Sequence, residues 1–440
     1  MRRVVYVAAM SLLATGCAVV ASPAPVEAPA RPATTEAETP PLRPPAIRPG
    51  SSEAVRRFPE VRGLWVVRST MTSREEILRM VREADDAGFN TLMVQVRGRA
   101  DAFYTSRWEP HGETLTEPGL DPLALVLEEA HARGMAVHAW VNTHLVWGSA
   151  SLPTRADHLV REHPEWLAVP RTLARELYDV APEDPGFPER LRQHAADNRE
   201  TVEGMFSSPS HPAVQERVYS VWMDLVERYD LDGIHFDYVR FPSAEYDYSR
   251  GALERFQAWV TPRLSPARLV ELQDAAVGNP LAWVESLPGP WAEYRRDHVT
   301  RLVRRVYHGI KARRPETVVS AALFANRDDA YRFRYQDWAS WLEEGILDVA
   351  VPMAYTTDDA RFAAQIREAR AAAGDDSRIW AGIGAWLNTV DGTISKIDVA
   401  RREQAGGVVL FSYDWAANEG RGDESEPFLR RIGNARFGSR

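Results

Sequence analysis

Between Arg62 and Tyr413 the chain alternates two hydrophobic patterns. Short, almost unbroken apolar runs are followed by segments whose apolar residues recur every three or four positions. The runs fall at 63–67, 91–96, 135–141, 233–237, 318–324, 347–355, 379–386 and 408–413, which predicts eight strands. Helical spacing follows most of them. Ile77, Met80, Val81 and Ala84 make one stripe, opened by Thr72 or Ser73 as cap and ended by Gly88. Further helices are predicted over 123–132, 291–311, 335–344, 360–373 and 394–404. Runs without polar alternation suit strands buried on both faces, as in a parallel sheet covered by helices. The expected fold class is therefore α/β, an eight-stranded β/α (TIM) barrel, with long insertions at its C-terminal mouth over 143–230 and 243–290. A doubly wound open sheet is the alternative. It would want a Gly-rich phosphate loop after the first strand, and Val66-Val67-Arg68-Ser69-Thr70 has none.

The N-terminus follows a different pattern. Met1-Arg2-Arg3 precedes an apolar stretch over 4–13 and then Ala14-Thr15-Gly16-Cys17, which resembles a bacterial lipobox. An ordinary cleaved signal peptide is the alternative. Residues 1–17 are expected to be a lipoprotein signal peptide with Cys17 as the lipidated residue. The Ala/Pro-rich stretch 18–60 is expected to be a tether that buries no core, and 61–435 the barrel domain. Position 18 after the cysteine is Ala, not the Asp linked to inner-membrane retention, so an outer-membrane site in the cell envelope is favoured where the cell has an outer membrane.

Composition narrows the partners. Of 440 residues, 45% are hydrophobic, enough for one large core, and the formal charge of −9 without a basic run argues against nucleic acid. Cys17 is the only cysteine, so a disulfide within the chain and a cysteine metal site are excluded. Neither a cofactor nor a metal is expected, and the protein is expected to be a monomer.

Chemistry in such a barrel sits at the C-terminal ends of the strands. The run Asp232-Gly233-Ile234-His235-Phe236-Asp237-Tyr238-Val239-Arg240-Phe241-Pro242 is the most informative stretch. Asp237 ends the strand, with His235 on the same side. Elsewhere on the rim stand Gln95, Arg97 and Arg99, with Asp101 and Tyr104 behind; His138, Trp140 and Asn142; Arg240; Tyr355 and Asp358; Trp386; and Tyr413, Asp414 and Trp415. Such a polar, aromatic-walled site suits a sugar, whose hydroxyls want donors and acceptors and whose ring faces want stacking. Plainer roles stay open. Asp237 could cap a loop, Asp232 start a strand, and His138 line the barrel deep inside. Arg97 and Arg99 could pair with Asp101 or Glu113, Tyr355 could pack in the core, and Asp414 could cap the last helical segment.

Arg62-Gly63-Leu64-Trp65-Val66, the run 95–102, the run 232–242 and Pro352-Met353-Ala354-Tyr355-Thr356 together resemble bacterial glycosyl-hydrolase-like lipoproteins. These are distant relatives of family-10 glycosidases and include enzymes that cut peptidoglycan glycan strands. The likeness spans roughly 60–415 and implies a β/α barrel acting on polysaccharide. Ser208 departs from it, standing where such chains often have Asp before Pro209. The 232–239 run is also similar to the strand-four pattern of family-18 chitinases, with His235 for the middle Asp and Val239 for the acid. Met353-Ala354-Tyr355 matches their strand-six pattern, with Thr356 for its Asp. That likeness implies that Asp237 and Tyr355 hold the substrate's acetamido group, and it leaves the proton donor missing. Asp101, Asp358, Asp414, Glu245 or an acidic residue of 143–230 are the candidates.

The expected function is an exported glycoside hydrolase, tethered to the membrane by a lipid, acting on polysaccharide and above all on peptidoglycan glycan strands. Asp237, Tyr355, Asp414 and Asp358 are the catalytic candidates. Gln95, Arg97, Arg99, Asp101, Tyr104, His138, Trp140, Asn142, His235, Arg240, Trp386, Tyr413 and Trp415 are the substrate-binding ones. Two alternatives stand beside it. One is a non-catalytic glycan-binding lipoprotein. The other is a metal-dependent polysaccharide deacetylase using His138, His235 and Asp237.

Overall fold

The structure, a computed structural model, describes residues 55, 57–375, 378–418 and 426–438. Cys17 and nearly all of the expected tether lie outside the described residues.

The strands in chain order are β1 (Val61–Val66), β2 (Thr91–Arg97), β3 (Ala136–Asn142), β4 (Leu145–Trp147), β5 (Met205–Phe206), β6 (Gly233–Asp237), β7 (Val318–Phe324), β8 (Val349–Met353), β9 (Trp380–Gly384) and β10 (Gly407–Phe411). Eight of them close a parallel barrel in the order β1-β10-β9-β8-β7-β6-β3-β2, while β4 and β5 pair separately as a short antiparallel sheet. All eight predicted runs became barrel strands, which is the expected TIM architecture.

Local chemistry fixes the helix ends. Ser73, not Thr72, caps the helix Arg74–Asp86, its side chain accepting from the Glu76 amide. Gly374 closes the helix Asp359–Ala373 with φ of 67°, a left-handed geometry that glycine adopts without strain. The barrel is filled by inward side chains from alternate strand positions, among them Val61, Trp65, Met93, Trp140, Val351, Trp380 and Val409. Close packing needs a missing side chain at Gly233, where a Cβ would lie 2.3 Å from the His138 ring. A larger cluster lies between the strands and the outer helices.

Of the two insertions, 143–230 is shorter than expected. Its last part, the helix Pro212–Arg228, packs on the long helix Pro288–Arg313 and belongs to the barrel's outer ring. Val214, Val218, Val221, Trp222 and Leu225 supply its buried stripe. The second excursion folds into the helices Arg250–Val260, Pro266–Ala275 and Ala282–Ser286. They form their own core with Trp291 and Tyr294 of the long helix. No described helix is long and apolar enough to cross a membrane.

Candidate active site

At the C-terminal mouth, β3 and β6 run side by side with Asn142 opposite Asp237. The Thr143 amide continues the pairing by donating to the Asp237 carbonyl at 2.8 Å. The chain then turns sharply: Tyr238 has φ of 49°, a strained geometry for a side chain of that size. The turn sends the Tyr238 amide back onto Asp237 Oδ1 at 2.7 Å. Burial pushes the Asp237 carboxyl up to about 6. The Arg240 guanidinium, the Tyr238 amide and the Trp140 indole oppose that rise, and the negative charge of Glu203 adds to it. A carboxyl in that range holds a proton for part of the time at neutral pH, which suits a donor.

Tyr355 stands across the mouth, after β8. Its ring meets Trp386 edge-on at 4.8 Å and Phe411 at 6.1 Å. Burial, and then the Asp237 charge, hold the phenol far above its usual range, so the hydroxyl stays a donor. Asp237, Tyr355 and Trp386 are thus brought together at the mouth, while Arg240, expected among the substrate contacts, is buried behind them. Trp140, Asn142 and Gln95 join them as a connected wall. Asn142 Oδ1 accepts from the Trp140 indole at 2.9 Å and from Gln95 at 3.3 Å, and its amide donates to the Gly98 carbonyl at 2.8 Å. Gln95 Oε1 in turn accepts from Arg68 at 3.2 Å. Arg99 also belongs to the mouth, its charge reaching Tyr238.

Several expected residues are placed elsewhere. Arg97 is buried inside the rim, paired with Glu109 at 2.9 Å and donating to the carbonyls of Asn142 and Thr143. It holds the wall and does not face the mouth. Asp101 accepts from the amides of Gly98 and Arg99 at 3.3 and 2.7 Å, which closes its own loop. Tyr104 lies in the core with its hydroxyl on Ser106 and its ring on Tyr229. His138 points inward but low, beside Trp380, where it lines a cavity of about 620 Å³ at the opposite end of the barrel. His235 is fully buried beneath Asp237. It accepts from the Trp65 indole at 3.1 Å, which leaves Nδ1–H to donate to Ser320 Oγ at 2.9 Å. With both nitrogens engaged, His235 is a neutral strut rather than a sugar contact.

Of the other acid candidates, Glu245 is exposed, and Asp358 and Asp414 are committed. Asp358 caps the helix Asp359–Ala373, accepting from the amides of Ala360 and Arg361. Asp414 does not cap a helix. It pins the loop after β1, accepting from the Val67 amide at 2.7 Å and the hydroxyls of Ser69 and Thr70 at 2.7 and 2.6 Å. Tyr413 faces outward onto Glu83 at 2.8 Å, and Trp415 packs on Phe428. Asp232 starts its strand at the far end, accepting from the Val137 amide and pairing with His131. The set His138, His235 and Asp237 is not assembled, because His138 is a layer away and the His235 nitrogens are taken. Among the described residues, no group of three or more His, Cys, Asp or Glu is placed to hold a metal ion.

Glu203 was reached in the sequence only as one unnamed acid of the first insertion, and Tyr238, Arg68 and Phe411 were not singled out. Glu203 precedes β5 and pairs with the buried Arg240 at 2.6 Å. Loop residues of this kind carry no periodic signal. Phe411 had one: it is the last inward position of the eighth apolar run.

Comparison with known proteins bears on the family and the fold. A family model described as Glycosyl hydrolase-like 10 matches residues 60–381. Glycosyl hydrolase DigH of Escherichia coli (strain K12) is 27% identical over 351 residues, covering 72% of this chain and 69% of the relative. Glycosyl hydrolase YngK of Bacillus subtilis is 24% identical over 331 residues, covering 68% of this chain. The match spans about half of YngK's length, 51%. Among solved structures, the glycoside hydrolase domain of PgaB (BpsB) from Bordetella bronchiseptica has a TM-score of 0.56 at 15% identity, covering 82% of this chain and 96% of that one. A β-galactosidase from Bacillus circulans has a TM-score of 0.57 at 13% identity, covering 86% and 56%. At such identities the likeness to solved structures is one of fold.

Proposed function

From the premise that this chain belongs to the glycosyl hydrolase-like 10 family, we propose that it is a glycoside hydrolase in which Asp237 is the proton donor. The observation that carries this reading is the Asp237 carboxyl, raised to about 6 by burial at the end of β6 and facing Tyr355 within aromatic walls. In the sequence, the likeness to chitinases gives Asp237 the holding of an acetamido group and leaves the donor unassigned. With Asp358 and Asp414 committed to backbone and hydroxyl groups and Glu245 exposed, the reading gives that place to Asp237 itself. Its proton passes to the glycosidic oxygen as the bond from that oxygen to the anomeric carbon breaks. Water adds to the carbon, and its proton returns to the Asp237 carboxylate, which restores the acid. Until then the Asp237 carboxylate is the charge that steadies the cationic carbon or an acetamido group beside it.

Tyr355 supplies a neutral hydrogen bond to the same region. Tyr355→Phe is expected to lower kcat/KM about tenfold with little change in stability, measured by steady-state cleavage and thermal melting.

The substrate we propose is an N-acetylhexosamine polymer of the cell envelope, peptidoglycan glycan strands above all. The part-exposed rings of Trp386 and Tyr355 at the mouth support sugar stacking, and the name glycosyl hydrolase is shared by DigH and YngK. The lipobox-like Ala14-Thr15-Gly16-Cys17 supports export and anchoring. Cys17→Ser is expected to move the protein from the membrane fraction to soluble material. Retention on membranes after a high-salt wash contradicts the anchor.

The test of function is incubation of purified glycan strands with the mature protein, with and without chelator, followed by mass analysis. New reducing ends that survive chelation support the hydrolase. Released acetate supports a deacetylase, and retention without products supports a binding protein.

A further inference from the structure

The mouth contains a second carboxylate whose role the donor assignment leaves open. Glu203 comes from outside the barrel, on the chain entering β5. The short β4–β5 pairing clamps that chain, with Trp147 opposite Met205. Gly204 lets it pass so close to β4 that a Cβ there would lie 2.1 Å from the Trp147 carbonyl. Glu203 Oε1 binds Arg240 at 2.6 Å, while its Oε2 is buried and has no hydrogen-bond partner. Neither oxygen is presented to a substrate, so Glu203 acts through Arg240.

Arg240 is itself 3% exposed and is wedged between rings, 4.7 Å from the Tyr238 centroid and 4.9 Å from Phe324. Of the carboxylates acting on it, Glu203 is the stronger and Asp237 comes after it. Building on the donor role of Asp237, we propose that Glu203 is a charge-balancing, positioning residue. Its ion pair engages Arg240, so that the guanidinium does not hold Asp237 as a bare carboxylate and Asp237 keeps the proton it delivers.

The groups around Asp237 support this. From the turn after its own strand come Tyr238 and Arg240, from β3 the Trp140 indole, from the far side of the mouth Tyr355, and from the insertion Glu203. His235 below it is neutral. Arg99 acts on Tyr238, and Arg334 lies beyond Arg240, repelled by it and attracted by Asp329, 3.6 Å away, and by Glu203. Glu203 is thus the anion paired with Arg240, and removing it leaves the Arg240 charge to act on the donor.

The test is Glu203→Gln, read by carbon-13 carboxyl NMR titration of Asp237, with Asp237→Asn used for assignment, and by the pH profile of glycan cleavage. The Asp237 midpoint is expected to fall by at least about half a pH unit. The alkaline limb of kcat/KM should move with it, so that neutral-pH activity drops about threefold or more while the acid plateau is kept. Glu203→Asp, which keeps the charge, should restore most of the limb. If Glu203→Gln unfolds, Arg240→Met serves instead, and its midpoint should rise. An unmoved midpoint, or activity lost equally at every pH, overturns the proposal. If the midpoint moves but the parent protein cleaves no glycan at any pH, the hydrolase reading fails and the charge balance stands.

Discussion

Asp237→Asn is expected to lower kcat/KM on glycan by at least about a hundredfold, which corresponds to about 2.7 kcal/mol of transition-state stabilisation. The amide is nearly isosteric and can still accept from the Tyr238 amide, but it has no proton to give. The same substitution should stabilise the fold. An unfolded Asp titrates near 3.9, on the order of two units below the folded carboxyl. Between those values the folded state holds the extra proton, so stability falls as pH rises through the window and stays reduced above it. Asn is not subject to that loss. The variant should therefore exceed the parent by about 2 kcal/mol above pH ~7 and lose that advantage near pH ~4, measured by urea unfolding. A variant that is inactive and also destabilised at every pH would mark Asp237 as a structural residue.

Arg97→Met should have the largest effect on stability, a loss of about 3–5 kcal/mol, because it breaks a buried ion pair by removing one partner. The side chains of Arg97 and Glu109 are 2% and 0% exposed, and the nearest other cation to Glu109 is Arg217 at 3.9 Å. The carbonyls of Asn142 and Thr143, which anchor the rim after β3, lose their donor as well. Combining Arg97→Met with Glu109→Leu should be less damaging than the single change, since no uncompensated charge is then left inside. A single variant with parent stability but a raised KM would instead return Arg97 to the substrate contacts.

The barrel was legible because strands buried on both faces read as continuous apolar runs, and Asp237 was legible because its run stops at a carboxylate. Height within the barrel was not. Period-two alternation put His138 and His235 on the inward face correctly. It could not tell that the stagger of the strands leaves His138 beside Trp380 and His235 under the site. Caps misled for a related reason. An Asp that opens a helix, as Asp358 does, and an Asp that faces a substrate both stand just past a strand end, and only the direction of the side chain separates them. Asp414 shows the same ambiguity, since its partners Ser69 and Thr70 are some 340 residues away in the chain. Glu203 was the hardest to single out. It sits in an irregular loop, and its importance comes from Arg240, a contact no local pattern encodes.

The most direct measurement of the central claim, that Asp237 delivers the proton, is the pH dependence of glycan cleavage by the parent protein. The account predicts a kcat/KM that is level in mild acid and falls about tenfold per pH unit above a midpoint near the Asp237 value of about 6. A rate that stays flat, or rises, from pH ~5 to pH ~8 would contradict it.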